Sequence, residues 1–209
     1  LTELNLAGDI IEPEEKEGFW TSLKRQAQLA LIAMKAGVAV SADLAVGGAF
    51  DSHEFHDRLQ GDSLQVTTDG IDYLWQYAEQ LGIADRIVIV INSDFSRTPY
   101  YNDTDGKDHW PIGSAIVMER DAPWGNRMVG LTDEAQNVIP INPTTMQPDT
   151  NNGKIIYPKH VMQSLREYMG VAEHSLTTPF QFNNAESFNF FNADVSTPQG
   201  RDPRNLVRV

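Results

Sequence analysis

Residues 86–94 read Arg-Ile-Val-Ile-Val-Ile-Asn-Ser-Asp, and this stretch decides the fold class. Five successive branched aliphatics, Ile87 to Ile91, fit a strand buried on both faces, as in a parallel sheet. Immediately upstream, Ile71, Leu74, Trp75, Ala78 and Leu81 recur at helical spacing. Thr68 or Asp69 can cap that helix and Gly82 stops it, so the spacing predicts a helix over about 68–81. Further upstream, Val38, Val40, Ala42, Leu44 and Val46 alternate with period two, which predicts a strand ending at Gly47-Gly48.

A first helix is expected over about 14–36. Pro13 suits its first turn, Glu14, Glu15 and Glu17 complement the positive end of the dipole, and Gly37 is a natural stop.

Downstream, Ile112–Met118 reads as a third strand, and Met128–Leu131 as a short one after the turn at residues 123–126. Residues 132–157 are rich in Asn, Pro and Thr and read as a long surface excursion. Pro158 opens a last helix that Gly170 closes. The tail, with Phe180, Phe182, Phe188, Phe190 and Phe191, carries too many aromatics for a purely solvated segment, so it is expected to wrap over its own surface or a partner's. The order of elements is α/β, with residues 1–171 as one domain and 172–209 as an extended tail. No internal repeat appears.

Composition narrows the function. The 209 residues hold 16 Lys+Arg and 29 Asp+Glu, a net charge of −13, which argues against a general nucleic-acid binder. With 41% hydrophobic residues the chain can bury a core. The absence of cysteine excludes a disulfide scaffold, a thiolate metal site and a Cys nucleophile. No apolar run reaches the length of a membrane span, and no basic-then-apolar signal opens the chain. Because Leu1 is not Met, a processed product or part of a longer chain is expected.

Ligands in α/β sheets sit beyond the carboxyl ends of strands. Two polar loops, 50–57 and 92–110, are expected there. Asp51 and His53 alternate, so both side chains fall on one side of an extended segment, while His56 is out of phase. Asp and His together suit zinc, manganese or iron. The plainer reading is a polar loop with hydrogen-bonded histidines. Asp94 follows the buried strand and either points into the crevice or caps a turn. Arg97 either clamps an oxyanion or pairs with Asp103, Asp105 or Asp108. His109 either binds a metal, relays a proton or is structural. His160 and His174 read as structural or exposed. The run Asn102–Gly106 is faintly like a calcium loop, but its twelfth position is Gly113 rather than Glu, and it reads as a solvated turn.

Three motifs then stand in order: G-G-A-F-D-S-H at 47–53, S-D-F-S-R-T-P at 93–99 and D-H at 108–109. They resemble the G-G-x-D-T-H, S-E-F-G-R-T-P and D-H-G motifs of a bacterial sulfatase-related group, called domain of unknown function 1501, of the alkaline-phosphatase superfamily. The resemblance covers about residues 25–171. It implies a three-layer α/β/α sandwich with a mainly parallel sheet, of which this chain holds the C-terminal half and is therefore incomplete. It implies a divalent metal ion (zinc, manganese or calcium) on Asp51, His53, Asp94 and His109, with Arg97 binding an anionic ester. The chain departs from the motifs at Asp94 for Glu, Ser96 for Gly, Trp110 for Gly and at the added Ala49.

The activity so implied is metal-dependent hydrolysis of phosphate or sulfate esters, on an anionic small molecule or a polysaccharide. This chain would supply half of the site, and the N-terminal remainder or a partner chain the rest. Ser52, Ser93, Ser96 and Thr98 lie close by, but none matches a nucleophile motif. A periplasmic or extracellular location goes with the resemblance. The alternative is a non-catalytic binding or assembly protein on the same fold, self-associating through the aromatic tail.

Overall fold

Ser22 opens the first described helix. Its extended backbone turns the hydroxyl back to accept a hydrogen bond from the Arg25 amide at 3.4 Å. The computed structural model describes residues 22–47, 50–182 and 185–195. They fall into two compact units that divide between Arg120 and Asp121. The expected start of the first helix, 14–21, lies outside the described residues.

In the first unit, helix α1 spans Leu23–Lys35 and buries Leu23, Ala27, Leu31 and Ile32. Its end is built by Gly37, whose φ of +72° lets its amide reach the Met34 carbonyl and the Val38 amide reach that of Ala33. These two bonds form a Schellman motif. Helix α2, His56–Gln80, closes in the same way at Gly82, and the buried Ile83 then packs beneath it. The two helices share a core of Ala27, Leu31, Leu74, Ala78, Ile83 and Ala84.

α2 starts twelve residues before the expected Thr68. Its first turns bury Ser63 and Thr67, small polar residues that carry no apolar period. The Thr67 hydroxyl donates to the Ser63 carbonyl at 2.8 Å, so it is satisfied on the buried face.

The expected strand over 38–46 is irregular. Val38 and Val40 are exposed, while Leu44 of the same alternation packs against the core of α1 and α2. The Gln26 amide takes the place of a neighbouring strand: it donates to the Ala45 carbonyl at 2.8 Å and accepts from the Ala45 amide at 2.9 Å.

The aliphatic stretch forms strand β1, Val88–Asn92, only half-buried. β2 is Ser96–Arg97, β3 His109–Trp110 and β4 Ala115–Glu119. β1 pairs with β4 and β2 with β3, both antiparallel. The reason is the connection. Between β1 and β4 the chain returns through the β2–β3 arm without a helix, whereas the crossover that joins parallel strands is usually a helix. Among the described residues the strands pair in twos and antiparallel, where a parallel sheet was expected.

In the second unit, β5 (Leu131–Thr132) and β6 (Val138–Ile139) form a short antiparallel pair. Its turn is held by the Asp133 carboxylate, which accepts from the amides of Ala135 and Asn137. Ile141 and Met146 are fully buried with Phe188, so the expected surface excursion carries the centre of this unit's core. Its polar composition serves the turns around those two residues: the Asn142 and Asp149 side chains each accept from two backbone amides. Helix α3, Pro158–Tyr168, begins where Pro158 marked it. The described part of the tail packs on its own unit, with the Phe188 amide donating to Ser164 Oγ at 3.1 Å and Arg127 donating to the Phe190, Asn192 and Val195 carbonyls. No helix among the described residues is long and apolar enough to cross a membrane.

Candidate metal centre

The loop before α2 and the β2–β3 arm meet within the first unit. Residues 51–53 alternate as an extended segment should: Asp51 is exposed, Ser52 is fully buried, and His53 emerges on the side of Asp51. Ser52 anchors the segment, its hydroxyl 2.8 Å from His56 Nδ1 and its carbonyl accepting from the Lys107 amide at 3.0 Å. His56 is thereby engaged away from the cluster, and burial pushes its pKa down. On the other arm the register sets Arg97 directly across from His109.

Four side chains converge. Asp51 Oδ1 lies 3.0 Å from His53 Nε2 and 3.3 Å from His109 Nε2, and the two imidazole nitrogens are 3.1 Å apart. Arg97 Nη2 donates to the same Asp51 oxygen at 2.7 Å, and its Nη1 to His53 Nε2 at 3.3 Å. The Arg97 bond, followed by that from His109, holds the Asp51 carboxyl below its usual range. The Arg97 side chain is only 10% exposed against 74% for Asp51, so the arginine is the fixed member of the pair. The Phe95 ring packs on the His109 imidazole at 4.2 Å between centroids, and the Arg97 guanidinium lies 5.5 Å from the same ring.

Behind this group, His53 Nδ1 donates to Asp108 Oδ1 at 3.1 Å. That bond, with a second from Asn102, lowers the Asp108 pKa. In the neutral ring it also sets the His53 tautomer, with the proton on Nδ1 and the Nε2 lone pair facing the cluster. A carboxylate behind a histidine is the usual outer partner of a metal-binding imidazole.

The donor atoms fit a small cation. Bonds of about 2.0–2.1 Å at tetrahedral angles put ligand atoms about 3.3 Å apart, and the three separations here are 3.0–3.3 Å. Two imidazoles and one carboxylate suit zinc better than calcium, which prefers oxygen. Three protein ligands leave a fourth position open, as in catalytic zinc sites.

Of the residues singled out in the sequence, Asp51, His53, His109 and Arg97 come together. Asp94 is exposed and lies outside the group. Arg97 pairs with Asp51 rather than with Asp103, Asp105 or Asp108. Asp108 and Asn102 were not among the candidates for this site. A carboxylate beside His109 in the D-H pair was a signal for the first; nothing in the spacing marked the second. The nearby hydroxyls are engaged locally: Ser93 with the Phe95 carbonyl, Ser96 with Ile112, Thr98 with Tyr100 and Ser52 with His56.

Residues 12–148 match the model of a family described as "Protein of unknown function (DUF1501)". No curated protein and no solved structure matches the chain.

Proposed function

The chain belongs to the DUF1501 family, and from that premise we propose that it is a metal-dependent hydrolase of phosphate or sulfate esters. The observation that carries the reading is the convergence of Asp51, His53 and His109, whose donor atoms all lie within 4.8 Å of one another. These three residues would hold a zinc ion. When bound, the ion would supply Lewis acidity toward an ester oxygen and neutralise charge on the transferring group. Arg97 orients Asp51 and brings a nearly buried positive charge to the same place. In a chain of net charge −13, an anionic ester needs such local positive charge to approach. Asp108 keeps the His53 lone pair turned toward the ligand position.

The sandwich fold, the further segment that would complete the site and the nucleophile belong to the same proposal. The half-buried face of β1 and the exposed Ile116 on β4 favour a larger sheet in the whole protein. Turnover of aryl phosphates and aryl sulfates by the intact protein, with and without added zinc, tests the activity. Metal-dependent turnover lost in Asp51→Ala is the expected result. No turnover of either ester class by metal-loaded protein would contradict it.

A second reading, assembly through the second unit, is favoured by the exposed Leu176 and Phe180, 74% and 69% accessible. Sedimentation of the intact protein decides it: a concentration-dependent oligomer that Leu176→Asp disperses supports this reading, and a monomer at all concentrations contradicts it.

A further inference from the structure

The Asn102–Gly106 run reads in the sequence as a solvated turn, yet several of its polar groups bond the segment that carries His53. Asn102 Nδ2 donates to the His53 carbonyl at 3.0 Å and lies 3.3 Å from Asp108 Oδ1. Its Oδ1 accepts from the amides of Thr104 at 3.0 Å and Gly106 at 2.9 Å. The Thr104 hydroxyl is 2.9 Å from both the His53 carbonyl and Asn102 Oδ1, and its single proton serves one at a time. The Asp105 carbonyl accepts from the His56 amide at 2.8 Å. Gly106 packs so closely that a Cβ there would run into the His53 carbonyl.

One amide group thus touches both things that set His53. It holds the backbone of His53 directly, and it holds the carboxylate that receives the Nδ1 proton. Neutral imidazole in water favours the proton on Nε2, so the Nδ1–H form must be imposed by its partners. We propose that Asn102 is the positioning residue for His53: through the His53 carbonyl and Asp108 it fixes the ring orientation and the Nδ1–H tautomer, leaving Nε2 as the donor atom. The metal role of His53 rests on the proposed function above; the tautomer does not.

Asn102→Asp separates the two jobs of this side chain. A carboxylate still accepts from the Thr104 and Gly106 amides, so the turn keeps its bonds. It cannot donate to His53 or Asp108, and it faces Asp108 with like charge. The test is nitrogen NMR of the imidazoles in metal-free protein, well above the usual histidine pKa, beside zinc titration of the same samples. In the wild type the expected result is His53 as the Nδ1–H form. In Asn102→Asp that form gives way to Nε2–H, the melting temperature stays close to wild type, and zinc affinity falls roughly 10–100-fold. An unchanged His53 tautomer in Asn102→Asp overturns the proposal, as does unchanged zinc affinity where the wild type binds zinc. A shifted tautomer in a protein whose wild type binds no zinc upholds the positioning role and overturns the metal reading alone. Asn102→Ser, which also keeps an acceptor for the turn, is expected to repeat the tautomer shift without adding charge.

Discussion

His53 Nε2 and His109 Nε2 face each other across 3.1 Å, with Asp51 Oδ1 completing a triangle. Without a cation, two imidazole lone pairs cannot share that space, so one nitrogen must carry a proton. The Nδ1 bond to Asp108 places the His53 proton on the far side of its ring, and His109 therefore carries the proton between them. A cation bound there requires His109 to carry its proton on Nδ1 instead. Zinc binding is expected to weaken as the pH falls, because protons compete with the metal for the imidazole nitrogens. Zinc titrations on either side of the histidine range, at about pH 5.5 and about pH 8, measure this. An affinity independent of pH would contradict it.

Arg97 makes two bonds to the cluster and a third, at 3.3 Å, to the Lys107 carbonyl. A lysine ammonium cannot span those positions. Arg97→Ala is expected to lower kcat/KM on an aryl ester by roughly 100-fold, in the range seen for a lost charge-stabilising donor. Arg97→Lys is expected to recover little of it. Steady-state kinetics of both variants check this, and full activity in Arg97→Lys would show that charge alone suffices.

Two glycines offer a contrast in cost. An added Cβ at Gly106 meets the His53 backbone, which cannot turn aside, whereas at Gly70 it meets the Leu23 side chain where α1 crosses α2. Gly106→Ala is expected to cost about 3 kcal/mol, the upper end of overpacking. Gly70→Ala is expected to cost about 1 kcal/mol, because helix propensity offsets part of the strain. Denaturant unfolding of both variants ranks them, and the reverse order would contradict the packing of the Asn102–Gly106 turn on His53.

His160 is buried in the second unit, and its Nδ1 accepts from the Tyr157 amide at 3.1 Å. Burial, with the nearby Lys159, lowers its pKa below the ordinary 6.5. The neutral form is therefore the one that folding favours. Its contribution is fully present above the unfolded pKa of about 6.5 and is lost as the pH falls from there through the depressed folded value. Stability of the wild type is expected to drop across that window more steeply than that of His160→Gln. Equal slopes in pH-dependent unfolding would contradict this.

How much of this was legible follows from where the signals lay. Gly37, Gly82 and Pro158 marked helix ends because a left-handed turn or a fixed φ is written in one residue. The front half of α2 was hidden because Ser63 and Thr67 occupy its buried face. The alternation over 38–46 misled because period two records only extension, and here a glutamine side chain replaces the partner strand. Asp51 and His53 were legible from their alternation and motif, as was Arg97 from its motif. The partner of Arg97 was not, since Asp51 lies 46 positions away in the loop before α2 and meets Arg97 only once the two segments come together. Asn102 was invisible because its role is a set of bonds to a residue 49 positions away.

The most direct measurement is diffraction at the zinc absorption edge from crystals of the intact protein grown with zinc. One anomalous peak is predicted within bonding distance of Asp51 Oδ1, His53 Nε2 and His109 Nε2, about 2.0–2.1 Å from each. A zinc-saturated crystal with no peak among those three atoms would contradict a metal centre there.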